Sequence, residues 1–403
     1  MSGIIIIGAG MAGHRAVIGL RANGYDGAIT LVGEEALMPY DRPPLSKSAI
    51  LEEQEPLPVW LMDEGIAASL KADVRLKHTA TAIDRKAKTV SLNDGSSLGY
   101  HKLLLATGAK PRRLPVPGGE RAILLRNFED ALALRARFQP GARVVVVGGG
   151  FIGLELASSA NKRGSKVTLI EAQPRILMRG VPEDIARIIH DRHAAAGVDL
   201  RMGQGIAEIT ETSVRLANGD EILFDAVIAG IGAAPEIRLA EAAGLALDNG
   251  IAVDGTLQTS DPDIFAAGDC CSFPHPLFGD VRIRLEAWRN AQDQGTLAGE
   301  NMLGAGKIYK GIPWFWSDQY ELNLQVSGLP HLGRRIIERK PSPESLILFH
   351  LTEEGRLVGA SGIGPGNSIG RDIKLAEMLI ARQAHPATEL LADRAVQLKS
   401  LLK

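Results

Sequence analysis

Ile4-Ile5-Ile6-Ile7-Gly8-Ala9-Gly10-Met11-Ala12-Gly13 is the stretch that decides the fold. Four consecutive β-branched residues predict a strand buried on both faces, as in a parallel sheet covered by helices. The glycines follow without a gap, and a helix is predicted from Met11 towards Ala22. Strand, G-x-G-x-x-G and helix in this order make a dinucleotide-binding turn. Gly8 permits the tight turn, Gly10 lets a pyrophosphate approach the backbone, and Gly13 lets helix and strand pack closely. The free N–H groups of the first helical turn then face the phosphates. A second strand, Ala28 to Val32, leads to Glu34, 21 residues beyond Gly13, where a carboxylate accepts ribose hydroxyls.

The unit recurs about 140 residues later. Arg143 to Val147 reads as a strand, Gly148-Gly149-Gly150-Phe151-Ile152-Gly153 as the turn and Leu154 to Lys162 as the helix. The next strand, Val167 to Ile170, ends on Glu171, and a carboxylate there favours NADH over NADPH because it repels a 2′-phosphate. Arg175, four residues on, is placed to soften that preference. The chain is expected to bind two dinucleotides. Between the units a short apolar strand stops at Ala106-Thr107-Gly108, and Pro111, Pro115 and Pro117 mark a linker. Beyond the second unit, Ile264 to Ala267 predicts a strand that puts Asp269 at the mouth of a sheet, where it can meet polyol hydroxyls.

With 403 residues, 45% apolar and 23% charged, the chain has the profile of an ordinary folded enzyme of two or three domains. A net charge of −2 argues against a nucleic-acid binder. No apolar run approaches membrane-spanning length. Met1-Ser2-Gly3 before the isoleucines has neither the basic region nor the cleavage site of a secretory signal, so a cytoplasmic location is expected. The only cysteines, Cys270 and Cys271, are adjacent; two buried thiols are expected there rather than a strained disulfide. The nine histidines show no metal-ligand spacing, and no metal site or catalytic histidine is expected.

The order of first glycine turn, Ala-Thr-Gly, second glycine turn and Gly-Asp resembles the two-dinucleotide-domain flavoprotein reductases related to glutathione reductase. Pro43-Pro44-Leu45-Ser46-Lys47, Gly153-Leu154-Glu155-Leu156-Ala157 and Trp314-Phe315-Trp316-Ser317-Asp318-Gln319 narrow the resemblance to the bacterial ferredoxin reductases of oxygenase systems. It covers nearly the whole chain. It implies an α/β fold with two Rossmann-like domains, the NADH domain inserted in the FAD domain, and a C-terminal α+β domain. The expected boundaries are 1–112 and 240–319 for FAD, 113–239 for NADH and 320–403 for the last domain. Ala12, Glu34, Lys47, Ala80, Arg126, Asp269 and Trp288 sit where that family touches FAD, and Glu171 matches its NADH ribose carboxylate. Lys47 and Glu155 match a lysine and a glutamate near flavin and nicotinamide, and Trp316 an aromatic close to the flavin ring.

Lys47 and Glu155 are expected to form a partly buried ion pair; read alone, Lys47 would be a surface lysine. The aromatic cluster around Trp316, and Trp288, serve either as cofactor walls or as packing. With no C-x4-C pair and no thiol in Pro39 to Ser46, where related oxidases carry a single cysteine, electrons from NADH have to leave the flavin directly. A flavin takes a hydride and releases electrons singly, which suits a [2Fe–2S] ferredoxin that feeds an oxygenase. Ferredoxins are commonly acidic, and Arg282, Arg284 and Arg289, or Arg334, Arg335, Arg339 and Lys340, are candidate docking cations. The alternatives are a rubredoxin reductase, an NADH oxidase, or a redox-sensing flavoprotein like apoptosis-inducing factor. The tail reads as short strands (323–328, 335–338, 345–351, 357–362), a helix over 375–382 and a terminal amphipathic helix over 388–402.

Overall fold

The computed structural model describes residues 3–402. They fall into two compact units. The first comprises the chain through Asp41, then Pro58–Lys110 and Ala234–Pro313; the second comprises Arg42–Leu57, Pro111–Ala233 and Trp314 onward.

In the first unit the strand Gly3–Ile7 lies between Ile29–Val32 and Ser97–Leu105. Ala72–Arg75 extends the sheet on one side and Ile264–Ala266 on the other, all five parallel. Ile4 to Ile7 are all buried, as an uninterrupted β-branched run requires when both faces are covered. The strand order reverses at Gly3–Ile7, and its C-terminal end is therefore the switch point where such sheets open a crevice. The helix Met11–Ala22 starts there and buries Ala12, Gly13, Ala16, Val17 and Leu20. The early half of Ser97–Leu105 pairs antiparallel with Thr89–Leu92, which pairs in turn with Ala80–Asp84.

The second unit repeats the plan with a smaller sheet. Arg143–Val147 sits between Lys166–Glu171 and Ala226–Ala229, with Asp199–Met202 outermost, all parallel. The helix Phe151–Lys162 leaves its switch point. The same unit contains a five-stranded antiparallel sheet in the order Trp314–Gln319, Leu322–Gly328, Leu357–Pro365, Ser345–Leu351, Arg335–Ser342. The helix Gly370–Ala381 follows it. One core joins Val144, Val146, Leu154 and Leu169 to Leu324, Val326, Leu348 and Ile363.

The expected terminal helix over 388–402 is not continuous. Its first turn, Thr388–Ala392, stops at Asp393 in extended backbone, and a 3-10 turn resumes at Leu398–Leu402. Arg339 is the reason. Its guanidinium, almost wholly buried, donates to the carbonyls of Leu391, Asp393 and Val396, oxygens that a continuous helix would offer to its own N–H groups. Among the described residues no helix is long and apolar enough to cross a membrane.

Candidate functional site

The glycine turn of the first unit is built by contact. Gly8 has φ +114°, and a Cβ on it would lie 2.1 Å from the Ala106 carbonyl oxygen; one on Gly13 would lie 1.9 Å from the Gly8 oxygen. Gly10 is different. It caps the helix Met11–Ala22 without a side chain, and a Cβ there would meet nothing within 4 Å. The helix therefore begins with uncapped N–H groups facing open space, which is what a pyrophosphate needs. Glu34 is exposed just past the neighbouring strand, and Ala80 opens the strand Ala80–Asp84. The Thr107 hydroxyl donates to the Glu236 carbonyl at 2.6 Å, which fixes the Ala-Thr-Gly turn, and Gly108 takes φ +69°.

Asp269 follows the strand Ile264–Ala266 at the half-buried mouth of the sheet. Beside it, buried Gln294 accepts from the Gly268 N–H at 2.8 Å and from the Cys271 thiol at 3.3 Å, while its Nε2 and the Asn290 Oδ1 are buried without protein partners. Trp288 begins the helix Trp288–Met302, and its Nε1 donates to Asp41 at 2.6 Å, a partner the sequence did not announce. An uncapped helix start, carboxylates just past two strand ends and orphaned buried amide atoms fit the ADP half and polyol chain of FAD. Both cysteines are free and buried, and burial pushes both thiols up from their ordinary range.

In the second unit, Gly148 (φ +107°) and Gly153 repeat the pattern, with a Gly153 Cβ falling 2.0 Å from the Gly148 oxygen. Gly150 caps its helix without a side chain, and the nearest atom to a Cβ there is the Gly230 oxygen at 3.7 Å. Glu171 is held at the lip of this turn. Its Oε2 accepts from the Gly149 N–H and its Oε1 from the Gln173 N–H, both at 2.7 Å. The Arg175 guanidinium donates to the carbonyls of Ile176 and Val181 at 3.0 and 3.1 Å. The uncapped turn and the fixed carboxylate fit NADH.

The Lys47–Glu155 ion pair is present at 2.8 Å, with side-chain exposures of 23% and 4%. Pro43–Ser46 forms a 3-10 turn that carries Lys47 at its end, and Glu155 lies in the second turn of its helix, just past Gly153. Ser46 Oγ donates to Glu155 Oε2 at 2.5 Å, and Ser317 Oγ donates to Oε1 at 2.7 Å. Two hydroxyls and an ammonium thus hold one nearly buried carboxylate. Trp316 stacks on Trp314 (ring centroids 5.1 Å apart, 24° between planes), and its Nε1 donates to Asp318 at 3.1 Å. Arg126 receives Arg42 on its carbonyl oxygen at 2.6 Å and donates its N–H to Asp130 at 2.8 Å. Lys47, Arg126, Glu155, Glu171 and Trp316 belong to this unit; Glu34, Ala80, Asp269 and Trp288 belong to the first.

Two of the candidate docking arginines are withdrawn from the surface. Arg339 is the clasp described above, paired with Asp372, and Arg284 is mostly buried and paired with Glu286 at 2.6 Å. Among the described residues no group of three or more His, Cys, Asp or Glu side chains is arranged to hold a metal ion.

Residues 2–295 match the family described as pyridine nucleotide-disulphide oxidoreductase, and residues 314–402 match the reductase C-terminal domain. The chain belongs to the pyridine nucleotide-disulphide oxidoreductase family. Among curated members, the ferredoxin–NAD(+) reductase component of the anthranilate 1,2-dioxygenase system of Burkholderia cepacia is 40% identical, covering 99% of this chain and 98% of its own. The ferredoxin reductase for the CYP199A2 system from Rhodopseudomonas palustris superposes with a TM-score of 0.94 at 33% identity, over the full length of both chains. The reductase in a covalent putidaredoxin reductase–putidaredoxin complex gives 0.92 at 35%, covering 100% of this chain and 98% of that one.

Proposed function

We propose that this oxidoreductase takes a hydride from NADH onto FAD and passes the electrons singly to a [2Fe–2S] ferredoxin that feeds an oxygenase, in the cytoplasm. The observation that carries the reading is the pairing of two open, uncapped glycine turns with thiols that are both buried. Two dinucleotides are accommodated, and no dithiol is available to take electrons onward. The relatives named as reductase components of oxygenase systems, and the reductase solved with putidaredoxin, support the acceptor class.

Bound FAD supplies the conversion of a two-electron donor into single electrons. The chain's own residues bind and orient. Gly8, Gly10, Ala12, Gly13, Glu34, Ala80, Thr107, Gly108, Asp269 and Trp288 hold FAD, with Lys47 and Arg126 assigned to it as well. Gly148, Gly150, Gly153 and Glu171 hold NADH, and Glu171 selects it over NADPH through its ribose. Lys47 and Glu155 serve the nicotinamide end of the reaction, and Trp316 the flavin ring. The domain boundaries keep the FAD, NADH, FAD and C-terminal order given above.

The test is anaerobic stopped-flow absorbance of the yellow protein, mixed with NADH and then with oxidised [2Fe–2S] ferredoxin. Fast bleaching followed by ferredoxin reduction at the turnover rate is expected. Bleaching with transfer only to rubredoxin or to O2 would move the function to that acceptor. No bleaching by NADH would overturn the nucleotide assignment.

A further inference from the structure

Behind Glu155 the hydrogen bonds do not stop. Ser317 Oγ, which donates to Glu155 Oε1, also accepts from Gln319 Nε2 at 3.2 Å, and Gln319 Oε1 lies 2.9 Å from His193 Nε2. Ser317 and Gln319 alternate with half-buried Asp318 on the strand Trp314–Gln319, so both point to the same buried side. His193 is fully buried on the helix Glu183–Ala195, at the end of the apolar stripe Ile185, Ala186, Ile189. All of these residues lie in the second unit.

The chain of bonds has only one polarity. A carboxylate offers Ser317 nothing but an acceptor, so the serine proton is committed to Glu155. The serine oxygen must then receive a proton, which turns the Gln319 amide so that its NH2 faces Ser317 and its oxygen faces His193. That oxygen requires a proton on His193 Nε2, which fixes the tautomer and leaves Nδ1 a lone-pair acceptor, buried without a partner. Burial lowers the His193 pKa to about 4, keeping the ring neutral at working pH. Every donor along the line points towards Glu155. A polar line through an apolar core is costly unless every member is satisfied, and here only the far lone pair is not.

We propose that Ser317, Gln319 and His193 are positioning residues, a one-way relay that holds the Glu155 carboxylate in register for the nicotinamide of NADH. The inference rests on the reading of Glu155 as a nicotinamide-facing residue. It ties hydride transfer to the strand Trp314–Gln319, which supplies the third donor to that carboxylate.

The experiment is single-turnover flavin reduction in the FAD-loaded enzyme, with NADH and with NADH deuterated at the transferred position. Ser317→Ala is expected to lower the limiting rate about tenfold, the order of one hydrogen bond to a charged group, and to raise the isotope effect. Ser317→Thr, which keeps the hydroxyl, restores the rate. In a Glu155→Gln background, Ser317→Ala should add nothing further. Gln319→Met, which keeps the serine but empties the middle of the line, moves rate and isotope effect in the same direction as Ser317→Ala. A wild-type rate in either Ser317→Ala or Gln319→Met overturns the relay, as does a Ser317→Ala loss that persists undiminished in the Glu155→Gln background. If Glu155→Gln itself reduces at the wild-type rate, the nicotinamide reading of Glu155 fails, and the relay with it. A slow Glu155→Gln beside a normal Ser317→Ala sinks the relay alone.

Discussion

Gly10→Ala and Gly150→Ala form a matched pair that separates folding from binding. Gly10 sits at φ −89°, ψ −164° and Gly150 at φ −83°, ψ −178°, backbone that alanine adopts without strain. A methyl at Gly10 touches nothing within 4 Å, and one at Gly150 makes only an ordinary contact at 3.7 Å. Alanine stiffens the unfolded chain but is a poorer helix cap than glycine, so the two effects offset and stability should stay within about 1 kcal/mol. The methyl occupies the space before the helix N-terminus that a phosphate oxygen needs in order to accept an N–H. Losing one charge-assisted bond costs about 1.5 to 3 kcal/mol, which is roughly ten- to a hundredfold in Kd.

Two assays read the pair. Titration of apoprotein with FAD, followed by quenching of flavin fluorescence, should show the loss in Gly10→Ala. The NADH dependence of anaerobic bleaching should show it in Gly150→Ala, which should still purify yellow. Urea unfolding of the apoproteins should leave both variants near wild type. Wild-type FAD affinity in Gly10→Ala would refute the cradle argument. So would crossed phenotypes, with Gly150→Ala losing FAD and Gly10→Ala losing only NADH.

Glu171→Ala should raise the KM for NADH about tenfold and narrow the NADH/NADPH ratio of kcat/KM, since a ribose acceptor and a repulsive charge go together; an unchanged ratio would remove Glu171 from the site. His193 and His350 are buried with pKa values lowered to about 4, against 6.5 in an unfolded chain. The unfolded state therefore takes up protons that the native state refuses. Stability is full above pH 6.5 and falls as pH drops towards 4, by about 2 to 3 kcal/mol per histidine at pH 4.5. His350→Gln should flatten the fall in urea midpoint between pH 7 and 4.5, and an equal slope would count against the assignment. Arg339→Ala strands three carbonyls and Asp372 and should cost about 3 kcal/mol or more, seen as earlier urea unfolding and faster proteolysis within 383–402; unchanged proteolysis would mean the clasp is idle.

The two nucleotide units were legible because their signals are local. A β-branched run, three glycines and a carboxylate at the next strand end lie within about 30 residues, and each fixes the next. Strand Arg143–Val147 and helix Met11–Ala22 appear where the sequence predicts them. Elements held by distant partners were not legible. The terminal helix was expected from amphipathic spacing, yet Arg339, some fifty residues earlier, takes its carbonyls. The carbonyls of Ile176 and Val181 that hold the Arg175 guanidinium carry no sequence signal either. The relay was hidden for the same reason, since Ser317 meets Glu155 across 162 positions and His193 meets Gln319 across 126. One sequence signal did exist: His193 continues the Ile185, Ile189 stripe at helical spacing, which marks a histidine facing the core.

The placement of the strand Ile264–Ala266 beside Ser97–Leu105 sets a timetable for synthesis. When Leu105 leaves the ribosome, its neighbours Gly3–Ile7 and Ile29–Val32 are already made, but the strand that covers its other edge lies roughly 160 residues downstream. At ordinary translation rates the apolar edge Leu103-Leu104-Leu105 stays bare for about ten to thirty seconds while the whole 111–233 segment is produced. A bare hydrophobic edge is a template for pairing with other chains. Chains truncated before residue 264 should therefore collect in the insoluble fraction, and slowing synthesis or supplying chaperones should raise the soluble yield of the full-length protein.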